Sequence, residues 1–137
     1  MDKIAVIYWS GTGNTQAMAQ AVAEGAQAEL FSVSDITPAL AANYEKLALG
    51  CPAMGDEVLE EGEFEPFFTE LESGLPGKPV VLFGSYGWGD GQWMRDWADR
   101  AAAAGAKMCA EPLIVNETPD DDALAQCRAL GQALAGA

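Results

Sequence analysis

The chain contains no histidine, and only 7 of its 137 residues are lysine or arginine. Without His, the commonest general base and metal ligand near neutral pH is missing. So few cations cannot build the basic stripe that nucleic acid requires. Nor can they build the Lys and Arg cluster that an anionic membrane surface attracts. Cysteine is scarce too: Cys51, Cys109 and Cys127 are the only three, too far apart for a CxxC pair. An odd count at such spacing is no disulfide framework, and without His it is no zinc site. No apolar run approaches the ~18 residues of a membrane span. Met1-Asp2-Lys3-Ile4 leads straight into a strand-like segment, with no signal-peptide layout. Together these absences predict a soluble, cytoplasmic protein with reduced thiols.

What is present is acid and apolar surface. Asp and Glu number 21, the formal net charge is −14, and half the residues are hydrophobic. A chain of this length is expected to form one domain, residues 1–137, burying roughly two-thirds of its unfolded surface. Residues 4–9, 47–50 and 80–83 are continuous apolar runs, as expected of strands covered on both faces. Glu29 to Val33 reads as a further short strand. Met108 to Val115 reads as the last one, with Pro112 arguing for an edge position. Between them, Thr15 to Ala26, Phe64 to Leu71 and Gln92 to Ala104 show helical spacing, with one or two helical turns after Pro38. A final helix starts at Asp120-Asp121-Asp122, acids suited to a helix N-terminus, with Ala123, Cys127, Leu130 and Leu134 as its stripe. Repeated β-α units with short connections predict a parallel sheet with helices on both faces.

In such a sheet, ligands bind beyond the carboxyl ends of the strands. The loops there are unusual. Ser10-Gly11-Thr12-Gly13-Asn14-Thr15 interleaves two glycines with four neutral polar side chains and opens a helix. Converging N–H groups, hydroxyls and a helix N-terminus make a phosphate cradle without a cation. No Lys follows, so this is not the P-loop of a nucleotide triphosphatase. The loop from Gly50 to Glu57 offers a polarizable Met54, a permissive Gly55 and two carboxylates. Gly84-Ser85-Tyr86-Gly87-Trp88-Gly89-Asp90-Gly91 sets an indole between glycines on an exposed turn, a placement that suits covering a planar ligand. Trp93 and Trp97, four apart on a helix, read instead as core.

These motifs, with Trp93-Met94 after the third loop and Val115-Asn116-Glu117 before a proline, resemble the flavodoxins over the whole chain. The likeness is to the short-chain group of anaerobic bacteria, since no room remains for an inserted loop in strand five. The resemblance implies a doubly wound five-stranded parallel sheet in the order 2-1-3-4-5, with noncovalently bound FMN where the strand order reverses. It implies that Ser10, Thr12, Gly13, Asn14 and Thr15 hold the FMN phosphate, beside Trp9 and Gly11. The flavin ring would lie between Met54 and Trp88. Glu57 would accept a hydrogen bond from its N3–H. Residues Ser85, Tyr86, Gly87, Gly89 and Asp90 would meet the pyrimidine edge. Pro52, Ala53, Gly55 and Asp56 complete the second loop. By resemblance, the Gly55-Asp56 peptide turns over on reduction and its carbonyl bonds to N5.

Such a hydrogen bond, at ~0.5–1.5 kcal/mol, moves a one-electron couple by tens of millivolts, about 59 mV being tenfold. Carboxylates ~8–12 Å away would disfavour an anionic hydroquinone by about 0.4–2 kcal/mol each before screening. The expectation is therefore a low-potential carrier, not an enzyme, cycling between semiquinone and hydroquinone and shuttling electrons between redox enzymes. The alternatives are a flavodoxin-like NAD(P)H:quinone reductase and a dedicated activator of ribonucleotide reductase. Two features depart from the family pattern. Lys46 heads strand three where an apolar residue is expected, either just outside the sheet or with its amine in water. Asp56 and Asp90 add charge beside the ring. Cys51, with no adjacent base or cation, reads as structural.

The acids are also clustered. Eight of them (Asp56, Glu57, Glu60, Glu61, Glu63, Glu65, Glu70 and Glu72) fall within residues 56–72, and no Lys or Arg occurs from 47 to 77. This segment is expected to dock basic partner proteins, reductases and electron acceptors, onto a monomer, with attraction that salt weakens.

Overall fold

The apolar runs at residues 4–9, 47–50 and 80–83 form the centre of a parallel sheet in the computed structural model, which describes residues 3–137. In chain order the elements are β1 (Ile4–Tyr8), α1 (Asn14–Ala26), β2 (Glu29–Ser32), α2 (Pro38–Ala41) and β3 (Lys46–Gly50). There follow α3 (Phe64–Leu71), β4 (Pro79–Tyr86), α4 (Gln92–Ala103), β5 (Lys107–Met108), β6 (Leu113–Asn116) and α5 (Asp121–Ala135). Every strand pair is parallel and the order is β2-β1-β3-β4-β5, with β6 also pairing β4.

The register explains why these strands carry no polar face. Ile7, Leu49 and Leu82 stand side by side and join one apolar layer with α3 and α4. Their neighbours Val6, Ala48 and Val81 point the other way, into a layer with α1 and α5. Successive strand residues face opposite sides, so a sheet covered twice needs apolar residues at every position. In the first layer, Trp97 packs edge-on against Phe64 and Phe68, with centroids 5.4 and 5.9 Å apart. Trp93 is also buried, and its indole N–H donates to the Cys51 carbonyl at 3.1 Å. Both indoles are therefore core, as their spacing indicated.

Three details differ from the sequence reading. Lys46 lies neither outside the sheet nor with its amine in water. It pairs with Ile4 as the first residue of β3 and is buried, and its Nζ donates to the carbonyls of Ala135 (2.8 Å) and Ala137 (2.6 Å). A cation there meets the negative end of α5. The last strand is not continuous from Met108 to Val115. It splits into β5 and β6 because residues 110–112, after the Cys109 N–H bond to the Val80 carbonyl, leave the ladder, where Pro112 has no N–H to donate. Both pieces lie at the sheet edge, against β4 alone. Finally, β4 runs on to Tyr86, extended by its pairing with β6.

On the second face, α1 and α5 approach closely through two glycines. A Cβ on Gly25 would stand 2.0 Å from the Arg128 carbonyl oxygen, and one on Gly131 would stand 2.1 Å from that of Val22. Both neighbours are backbone, which cannot step aside without separating the helices. Gly131→Ala is therefore expected to destabilise the protein by ~1–3 kcal/mol through overpacking. The check is a lowered urea midpoint with an unchanged slope; a midpoint equal to wild type would refute the close-packing account.

Candidate functional site

The carboxyl ends of β1, β3, β4 and β6 surround a cavity of about 470 Å³. That size lies within the range of small-ligand sites. Trp9, Gly11, Thr12 and Asn14 line it from the first loop, Pro52, Ala53 and Met54 from the second, and Ser85, Tyr86 and Gly87 from the third. Glu117 and Thr118, which follow β6, complete it.

The first loop divides into lining and holding residues. Ser10 Oγ accepts from the Gly13 N–H at 3.1 Å, and Thr12 Oγ1 from the Asn14 N–H at 3.4 Å. Gly13, at φ 95°, forms the N-cap of α1 and supplies no side-chain cap, and no acid stands in the helix's first turn. The positive end of that helix dipole is thus left to the cavity's side of the loop. Thr15 does not line the cavity. It is buried, with Oγ1 3.1 Å from Ser85 Oγ and accepting from the Ser85 N–H at 3.4 Å, and it ties α1 to β4.

The second loop is a tight hairpin. Met54 and Val58 exchange both backbone hydrogen bonds at 2.9 Å, leaving residues 55–57 as its tip. Gly55 (φ 49°) and Glu57 (φ 57°) are both left-handed there, and Gly55 and Asp56 are exposed. Glu57 does not line the cavity. Its Oε1 accepts from the N–H groups of Asp90 (3.2 Å), Gly91 (3.1 Å) and Gln92 (3.2 Å), capping α4 from another loop. In the third loop, Trp88 is 62% exposed and, like Gly89 and Asp90, does not line the cavity.

The other clustered acids have comparable structural duties. Glu60 accepts from the N–H groups of Gly62, Glu63 and Phe64 at 2.7–2.8 Å, closing the start of α3. Glu63 accepts from the Trp9 indole at 3.2 Å. Glu65 and Glu72 share Arg100, which lies 4.8 Å over the Phe68 ring. Asp56, Glu61 and Glu70 are exposed, and their side chains make no hydrogen bond or ion pair among the described residues.

Glu117 and Thr118 escaped the sequence reading as cavity residues. The Val115-Asn116-Glu117 motif was visible, but its role depends on β6 ending beside β4. There the Glu117 N–H and the Asn116 amide both donate to the Tyr86 carbonyl, at 2.7 and 3.2 Å. The thiols stand apart from any chemistry. Burial pushes Cys51 up to about 12 and Cys127 up to about 11, so neither supplies a thiolate near neutral pH.

The Arg100 hydrogen bonds hold the Glu65 carboxyl below its ordinary value of 4.5. Because the folded pKa is depressed, this contribution to stability is present above the unfolded pKa and lost as pH falls through the folded one. Glu65→Gln is expected to flatten the acid limb of stability between about pH 5 and about pH 3. Urea midpoints across that range test it; an identical limb in both proteins would show that the pair contributes nothing there.

Comparison with known proteins places this architecture. The family model described as Flavodoxin matches residues 6–131. A flavodoxin of Clostridium beijerinckii is 50% identical over 121 residues, covering 85% of this chain and 88% of that one. A flavodoxin of Megasphaera elsdenii is 46% identical over 139 aligned residues, covering 98% of this chain and 99% of that one. The solution structure of two-electron reduced Megasphaera elsdenii flavodoxin superposes with a TM-score of 0.88 at 42% identity, over 98% of this chain and 99% of that one.

Proposed function

This chain belongs to the flavodoxin family, FMN electron carriers rather than enzymes, and on that premise we propose a site, a redox direction and a docking face for it. One observation carries the reading: a cavity lined by the acid-free N-terminus of α1 together with the apolar side chains of Trp9, Pro52, Met54 and Tyr86. The chemistry of its lining fits FMN, a phosphate joined to a planar ring. Thr12, Asn14, Gly11 and the first turn of α1 would hold the phosphate through neutral donors and the helix dipole. Ser10, Gly13 and Thr15 act one step back, fixing the loop's shape through the Gly13 and Ser85 bonds. Trp9, Met54 and Tyr86 would wall the ring, with Pro52, Ala53, Ser85 and Gly87 beside them. When bound, FMN supplies one-electron redox chemistry.

The tip of the second loop is the part of the wall that can change its backbone. The reciprocal Met54 and Val58 bonds pin its base and the Glu57 carboxylate its far side, whereas Gly55 carries no Cβ to resist rotation of the following peptide. Trp88 and Glu57 would need to move to meet the ring. Trp88 is exposed and free to fold inward, whereas Glu57 would have to share or give up the amides that cap α4.

The surrounding acids favour the low-potential direction, because extra negative charge on the cofactor would be placed near like charges. The docking face would centre on Asp56 and Glu61, with Glu70 further along α3, and would take basic redox proteins with salt-dependent attraction. The other five acids of the segment are engaged within the protein, and Arg100 offsets part of their charge.

Potentiometric titration of the FMN-loaded protein tests the redox reading. Two separated one-electron steps are expected, the second at low potential, whereas a single two-electron step would overturn it. Asp56→Asn is expected to raise the second potential by about 20–40 mV after screening. Glu70→Gln should do less, lying seven residues, roughly 10 Å of helix, beyond the Trp9–Glu63 contact. Equal shifts from both would point to net charge rather than place.

A further inference from the structure

One wall of the cofactor cavity is held from outside it. Trp9 follows β1, and its backbone N–H donates to the Gly50 carbonyl at 3.0 Å. Its ring lies against the first loop, so near that a Cβ on Gly11 would stand 3.0 and 3.3 Å from two of its carbons. The far edge of the same indole, Nε1, donates to Glu63 Oε1 at 3.2 Å, across 54 residues of sequence. Glu63 is itself anchored, because its N–H donates to Glu60 Oε1 at 2.8 Å just before α3 begins. A large ring fixed at its backbone alone can rotate about two side-chain torsions. A carboxylate acceptor at its tip selects one of those orientations.

We propose that Glu63 is a positioning residue for FMN binding: its carboxylate holds the Trp9 indole as the wall of the cavity, without Glu63 lining that cavity. This rests on the FMN reading above. Glu63 thereby differs from the neighbouring acids, which cap helices, pair with Arg100 or face solvent. Removing the acceptor frees the ring and weakens the cofactor's grip, although no group in contact with the cofactor has been changed. An oxygen acceptor without charge keeps the ring in place. The predicted ordering therefore separates hydrogen bonding from the general electrostatics of an acidic surface.

The test compares Glu63→Ala, Glu63→Gln, Trp9→Phe and the double variant Glu63→Ala/Trp9→Phe with the unsubstituted chain. FMN dissociation is read by the fluorescence released on dilution of the loaded protein. The Trp9 indole N–H resonance is read by NMR on the protein as purified. Glu63→Ala is expected to weaken FMN binding by about three- to tenfold and to shift the indole resonance. Glu63→Gln should retain most of both. In the Trp9→Phe background, which has no indole N–H, Glu63→Ala should add little. The proposal is overturned if Glu63→Ala leaves the resonance in place or binds FMN as tightly as wild type. It is also overturned if Glu63→Gln weakens binding as much as Glu63→Ala, which would be a charge effect, or if the two substitutions are additive. Failure of the FMN reading would look different: the unsubstituted chain would bind no FMN, and the resonance would still decide whether Glu63 holds Trp9.

Discussion

A strand covered by helices on both faces can display polar chemistry only beyond its ends, and that constraint organises this protein. The rows Ile7–Leu49–Leu82 and Val6–Ala48–Val81 are committed to two separate apolar layers, so the middles of the central strands offer no side chain to a ligand. Because the strands are parallel, their carboxyl ends fall on one side, and loops from distant parts of the sequence meet there. The cavity is the outcome of that meeting. It needs no dedicated element, only strands that stop together.

What holds the loops in place is hydrogen bonding to backbone amides, with carboxylates as the main acceptors. Glu57 bridges the second loop to the start of α4, Glu60 closes the start of α3, and Glu63 reaches back to Trp9. The chain's negative charge is also structural material, since a carboxylate at a helix N-terminus satisfies amides that would otherwise lack partners. At α1 the pattern is deliberately missing. That helix begins with Gly13, which gives no side-chain cap, and with no acid in its first turn, so its positive end is free of the carboxylates that close α3 and α4. On the proposed reading, the contrast between α1 and α4 separates a helix terminus that would serve the cofactor from one that serves the fold.

The same contrast narrows the meaning of the acidic segment. Residues 56–72 look uniform in sequence, yet five of the eight acids are engaged by amides, an indole or Arg100. The remaining three, Asp56, Glu61 and Glu70, are exposed, and their side chains make no hydrogen bond or ion pair among the described residues. A carboxylate that accepts three amide bonds keeps its charge but loses its freedom to reorganise around an incoming cation. In the proposed docking, electrostatic steering would act through all of them, whereas close pairing would fall to Asp56, Glu61 and Glu70.

By itself, the sequence determined the strand and helix order, the parallel sheet, the burial of Trp93 and Trp97 and the three loops that build the cavity. Each of these follows from local periodicity or turn chemistry within about ten residues. Only the tertiary structure decided matters that depend on partners far along the chain. Lys46 is a case: its burial makes sense only once the end of α5 lies over the head of β3. The splitting of the last strand, the inclusion of Glu117 and Thr118 in the cavity, and the assignment of Glu57 to α4 are others. So is the bond between Trp9 and Glu63. A single residue's spacing cannot reveal which distant amide or carbonyl it will meet, because hydrogen-bond partners are set by how the layers dock.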